Sequence, residues 1–128
     1  MNDSTMAYDL FNAKLHEFVK DLGAAFPDVE DFKLFRNALT LAINFAPTKP
    51  QKMFNKFVVC HYDTQIRARD EQFFLAHDFS HLLTDDDFDI VERIRSVWGR
   101  MDEVNRNVVW KYLQVLLLLD QKCRAKST

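Results

Sequence analysis

The chain has 128 residues, 48% of them hydrophobic, with 12 phenylalanines and a formal net charge of −2. A chain of this length fits one domain that buries roughly two thirds of its unfolded surface, so a core forms without disulfide or metal staples. The near-neutral balance, with an isoelectric point of about 6.0, excludes a global basic footprint for nucleic acid, and two glycines with three prolines give too little turn punctuation for a hairpin-rich β fold.

In chain order, the first helix is predicted from Ser4 to about Leu22. Leu10, Phe11, Leu15, Phe18, Val19 and Leu22 repeat at three and four residues. Asp3 or Ser4 suits the N-cap, Gly23 suits a left-handed helix end, and Phe26-Pro27 turns the chain. The second helix is predicted from Asp28 to Asn44, with acids in its first turn. Its inward stripe is Phe32, Phe35, Leu39 and Ile43, broadened by Leu34, Ala38 and Ala42. Pro47 and Pro50 end it, and Thr48 is placed to cap a third helix over Pro50 to Arg67, with Phe54, Phe57, Val58, Tyr62 and Ile66 inward. A short helix from Asp70 to His77 comes next. Thr84, with Asp85, Asp86 and Asp87 in the first turn, starts a fifth helix whose stripe is Phe88, Val91, Ile94, Val97, Trp98 and Met101. Gly99 helps to end it. The last helix begins between Asp102 and Asn107 and runs to about Lys126. Its Val115–Leu119 segment is apolar all round, as expected of a helix that is central in the fold or covered by a partner.

These elements predict an all-α, single-domain bundle of five to six helices, spanning residues 1–128, with a Phe/Leu-rich core and a central C-terminal helix. The five-residue apolar run is far short of the roughly 20 residues of a membrane span. The N-terminus matches neither a signal peptide nor a transit peptide. Two cysteines, Cys60 and Cys123, are too few for a disulfide framework and fit a reducing compartment. Charge alternates in blocks: residues 1–31 and 70–92 are acidic, and residues 32–69 and 93–128 are basic. Pairing of these blocks within the fold is the favoured reading. Steering of another chain is the alternative.

Each candidate chemistry has a plainer explanation. His77 and His81, four apart, could present two imidazoles to a metal. No His-Glu-x-x-His or Cys-x-x-Cys accompanies them, and Asp85 to Asp87 are accounted for by helix initiation. Cys60 and His61 are helical neighbours pointing about 100° apart, so they do not form a nucleophile–base pair. With two isolated glycines no phosphate-cradling loop can form. No catalytic residue and no cofactor is therefore assigned. Lys49, Lys52 and Lys56 make a basic stripe on the third helix, extended by Arg67, which could contact phosphates; a solvated basic face explains the same residues and is the favoured reading. Trp110, Tyr112, Leu118 and Leu119 are the candidate contacts for another protein or a second copy of the chain, against the reading that they are plain core.

Four phrases carry a resemblance: FVKDLGAAFP at Phe18–Pro27, MFNKFVV at Met53–Val59, YDTQIRARDEQFFL at Tyr62–Leu75 and VWGRMDEVNRNVVWKYLQVLLLL at Val97–Leu119. Together they resemble a family of short helical proteins of large DNA viruses infecting algae and protists. The resemblance implies an origin rather than a mechanism. Taken with the absence of a catalytic constellation among the residues, that origin leads to the expectation of a non-enzymatic protein-interaction or assembly module, a virion component or host-interacting factor, in the host cell interior (cytoplasm or virus factory) or the virion, and not secreted. The alternative is a nucleic-acid-binding accessory protein using the basic face of the third helix.

Overall fold

The computed structural model describes residues 3–76 and 90–126. Among the described residues all regular structure is helical: α1 (Asp3–Ala25), α2 (Glu30–Phe45), α3 (Lys49–Phe54), a π-helical turn (Asn55–Val59), α4 (Cys60–Arg67), α5 (Glu71–Ala76), α6 (Ile90–Val97), a 3₁₀ turn (Trp98–Arg100) and α7 (Glu103–Lys126). The expected all-α bundle with an aromatic and leucine core is what forms. Thr84 and the predicted start of the fifth helix lie outside the described residues.

α1 runs three residues past its predicted end. Gly23 is not left-handed and does not close the helix; it faces α2, where a Cβ on it would make ordinary contact with the Cβ of Phe32 at 3.8 Å. The helix ends at Ala25 because Pro27 disfavours helical geometry at Phe26, whose amide still donates to the Leu22 carbonyl at 2.9 Å. α2 starts two residues later than predicted, with Val29 extended ahead of it. Asp28 is left free to take a two-pronged ion pair from Arg100, at 2.8 and 3.0 Å. Thr48 is helical itself and its side chain caps nothing; α3 is initiated by Pro50, whose fixed φ suits the first turn.

The third predicted helix is interrupted by the π-turn, which the residue pattern did not reveal. A π-turn widens the spiral by about one residue and shifts the phase of the residues after it. Here it brings Asn55 within hydrogen-bonding distance of Asp120 on α7 and leaves Tyr62 and Ile66 on the inward face of α4. α4 ends in a Schellman arrangement: the Asp70 amide donates to Gln65 at 2.9 Å and the Arg69 amide to Ile66 at 3.1 Å. The left-handed position is occupied by Arg69 (φ 51°) and not by glycine. Its guanidinium reaches Asn107 and Gln114 on α7, at 3.5 and 3.3 Å, contacts that a glycine would not supply. Asp70 caps α5 by accepting from the Phe73 amide at 3.0 Å, and Asp102 caps α7 by accepting from the Asn105 amide at 2.8 Å.

α7 is the central helix. It runs back along α1: Arg100, ahead of its start, reaches Asp28 beyond the end of α1, and Tyr112 stacks on Phe18 with ring centres 4.7 Å apart. Phe11, Val19, Phe32, Val97, Trp98, Leu116, Leu117 and Cys123 are fully buried. The charge blocks meet inside the chain. Arg93 pairs with Asp31, Arg100 with Asp28 and Arg106 with Glu71, joining the segment around α6 and the start of α7 to α2 and α5. Arg95 donates to the Leu75 carbonyl at 2.7 Å. No described helix is long and apolar enough to cross a membrane.

Candidate interaction surface

The four residues predicted to contact a partner have different environments. Trp110 is buried, edge-on to Trp98 at 5.4 Å, and belongs to the core. A side chain so enclosed by its own fold has no face left for another chain, so this assignment is corrected. Tyr112 is half-buried: one face lies on Phe18, the Lys14 ammonium stands 5.8 Å over the ring, and the hydroxyl donates to Asp21. Leu119 is half-buried, and Leu118 is exposed at 52%. The apolar run thus divides around the helix: Leu116 and Leu117 point inward, Leu118 outward.

A second apolar face lies on α2. Leu34, Leu41 and Phe45 are exposed at 54, 59 and 83%. With Ala38 they repeat at steps of four, three and four, which puts them along one line of the helix, opposite Phe32 and Leu39. Leu34 therefore does not broaden the inward stripe, as predicted, but starts an outward one. The sequence held the signal, since Leu34, Leu41 and Phe45 follow one another at steps of seven and four; two apolar stripes on one helix cannot be ranked until its neighbours are known.

Burial of Tyr112, together with the Asp21 and Glu17 carboxylates, raises its phenol well above the ordinary tyrosine range, burial being the largest cause. The protonated phenol is thus favoured by the fold. Its contribution to stability is fully present below pH 10 and is lost as the pH rises above that value toward the folded-state pKa. We expect the unfolding midpoint in urea to fall with pH above about 10, and Tyr112→Phe to reduce that dependence.

Lys49, Lys52 and Lys56 are all exposed, and Lys56 lies 5.1 Å over the ring of Phe57. Arg67 forms a surface ion pair with Asp63 at 2.6 Å, with both side chains half exposed. His77 and His81 lie outside the described residues. Among the described residues no group of three His, Cys, Asp or Glu side chains could hold a metal ion. The Cys60 thiol donates to the Asn55 side-chain oxygen at 3.5 Å.

One polar site escaped sequence reading. Asp120 is fully buried on α7 and accepts hydrogen bonds from Gln51 of α3 at 2.7 Å, from Asn55 of the π-turn at 3.3 Å to each oxygen, and from Arg124 at 2.9 Å. Its signal was present: Asp120 follows Leu116 by four and Leu117 by three, placing a carboxylate on the inward line. One turn on, Cys123 is also fully buried. Burial, and then the charge of Asp120, push its thiol up to about 11. At pH 8 we expect one fast thiol toward Ellman's reagent, the exposed Cys60, with Cys123 reacting only on unfolding. Two fast thiols in the native protein would contradict this packing.

Comparison with protein-family models, curated proteins and solved structures finds no match.

Proposed function

We propose that the chain is a non-enzymatic helical protein-interaction or assembly module of viral origin, acting in the host cell interior or in the virion. The observation that supports this reading is the exposure of large apolar side chains along helical lines, Leu34, Leu41 and Phe45 on α2 and Val104, Val108 and Leu118 on α7. Scattered apolar residues are ordinary on any surface, whereas apolar residues aligned on one helix face, as on α2, support a contact with another chain. The viral origin rests on the resemblance of the four quoted phrases. A photo-crosslinking residue at position 41, 45 or 118, in cells producing the protein, tests the reading, with position 33 on the polar flank of α2 as control. Discrete adducts from the apolar rows and none from position 33 are expected. Twice the chain mass would identify assembly of copies, and a larger or smaller increment a partner. Equal or absent labelling at all positions refutes the reading.

The alternative is nucleic-acid binding through Lys49, Lys52 and Lys56, favoured by their exposure and by the absence of an ion pair to them among the described residues. Three lysine–phosphate contacts give log K a slope of about −3 against log salt. No gel shift at low salt ends that alternative.

A further inference from the structure

The outward face of α7 has a composition that selects what covers it. Val104, Val108, Lys111, Val115, Leu118 and Lys122 succeed one another at alternating steps of four and three, the register of a helix–helix seam. Val104, Val108 and Leu118 are exposed, Val104 at 70%, Val115 is half-buried, and both lysines are exposed. The inward side of the same helix carries Leu116, Leu117, Asp120 and Cys123, so this seam is additional to the one that builds the core.

Charge on the seam has one sign. Neither Lys111 nor Lys122 forms an ion pair with a described residue. Beyond Glu103 the only acid on α7 is Asp120, which points inward. The neighbouring acids on α1 are engaged: Glu17 pairs with Lys14 at 2.9 Å and Asp21 accepts from Tyr112. On the other flank Arg69 adds a further positive charge beside Asn107 and Gln114. Covering an unpaired ammonium with apolar surface is unfavourable. A second copy laid on the same seam brings four lysines together with no acid between them, so self-pairing there is opposed as well.

Resting on the interaction-module reading, we propose that this face docks an amphipathic helix of a partner protein, whose apolar stripe carries two carboxylates eleven residues apart. Lys111 and Lys122 are themselves separated by eleven residues, about 16 Å along the helix axis. A partner helix has the same rise, so two carboxylates at that spacing meet both ammoniums while its apolar residues cover Val108, Val115 and Leu118.

The test uses the full chain and two synthetic helical peptides. They share a Leu/Ala heptad seam and differ only at two seam positions eleven apart, glutamate in one and lysine in the other. Fluorescence anisotropy is expected to show the glutamate peptide binding at least about tenfold tighter than the lysine peptide, with the difference shrinking at high salt. The surface double variant Lys111→Glu/Lys122→Glu is expected to invert the preference, and Val108→Asp/Leu118→Asp to lose both peptides while retaining the circular dichroism of the parent. Equal binding of the two peptides, or no inversion, overturns the proposal. So does a dimer in light scattering that Leu118→Asp dissolves, because a second copy is then the occupant. Binding of anionic phosphatidylserine vesicles that depends on the two lysines, without discrimination between the peptides, also overturns it. Crosslinks from positions 41 and 45 with none from 118 would leave the interaction-module reading standing while removing this one; no crosslink from any of the three would remove both.

Discussion

Trp98→Ala is expected to lower the unfolding free energy by about 3–5 kcal/mol, the range for removing a large aromatic from a packed core. Trp98 is 1% exposed. Its ring meets Trp110 edge-on at 5.4 Å, and the Arg106 guanidinium lies 5.7 Å over it. Truncation opens a cavity where α6 passes into α7. It also strips Arg106 of the aromatic surface it covers, although the bond from Arg106 Nε to the Trp98 carbonyl, at 3.1 Å, is untouched. A domain of this size has about 5–15 kcal/mol in total, so this single change removes a large share of it. Urea unfolding tracked by Trp110 fluorescence and far-ultraviolet circular dichroism measures the loss. Trp98→Phe, which keeps an aromatic ring in the site, is expected to cost less than half as much. A loss below about 1 kcal/mol for the alanine variant would mean that the surroundings collapse into the site, contrary to the close packing described.

Asp120→Leu is expected to cost about 2–4 kcal/mol for a different reason. The γ-branched shape is kept, although two methyl groups replace two smaller oxygens, and Gln51 and the half-buried Asn55 lose the acceptor that satisfies their amide hydrogens, at roughly 1–3 kcal/mol for each buried donor left unpaired. Arg124 is half exposed and turns to water. The double variant Asp120→Leu/Gln51→Leu is expected to be less destabilised than the sum of its single changes by about 1–2 kcal/mol, since the second leucine removes a donor that the first had stranded. Strict additivity would show that the 2.7 Å contact does not couple the two helices. Asp120→Asn carries a second readout. The Asp120 charge helps to raise the Cys123 thiol, so the asparagine variant is expected to lower that pKa while burial still holds it above the ordinary thiol range.

Most of the fold was legible because its helices are long and their inward lines regular. Phe11, Leu15, Phe18 and Leu22 on α1, and Val109, Leu116 and Cys123 on α7, occupy the buried face that their spacing indicates. Helix ends were less legible, since they depend on competition between local rules. Gly23 is a good helix terminator in isolation, but it keeps a helical φ and the proline at position 27 sets the later end. The π-turn leaves no composition signal, and it is recognisable only by the partner it brings Asn55 to.

The candidate surface was half legible. Leu118 was singled out and is exposed, whereas Trp110 is enclosed by Trp98 and Leu34, which starts the exposed row of α2, was assigned inward. Periodicity states that residues share a line, but not which of two lines meets the core. By itself the sequence determined the helical class, the identity of the central helix and the absence of a long apolar span among the described helices, because those depend on local spacing and length. Tertiary structure alone decided that Arg93, Arg100 and Arg106 of the second basic block pair with Asp31, Asp28 and Glu71 of the acidic blocks, that Asp120 is caged by Gln51 and Asn55, and that Lys111 and Lys122, on an outward apolar seam, form no ion pair among the described residues. Those outcomes depend on contacts between residues far apart in the chain, such as Asp28 with Arg100, 72 positions on, which no local pattern encodes.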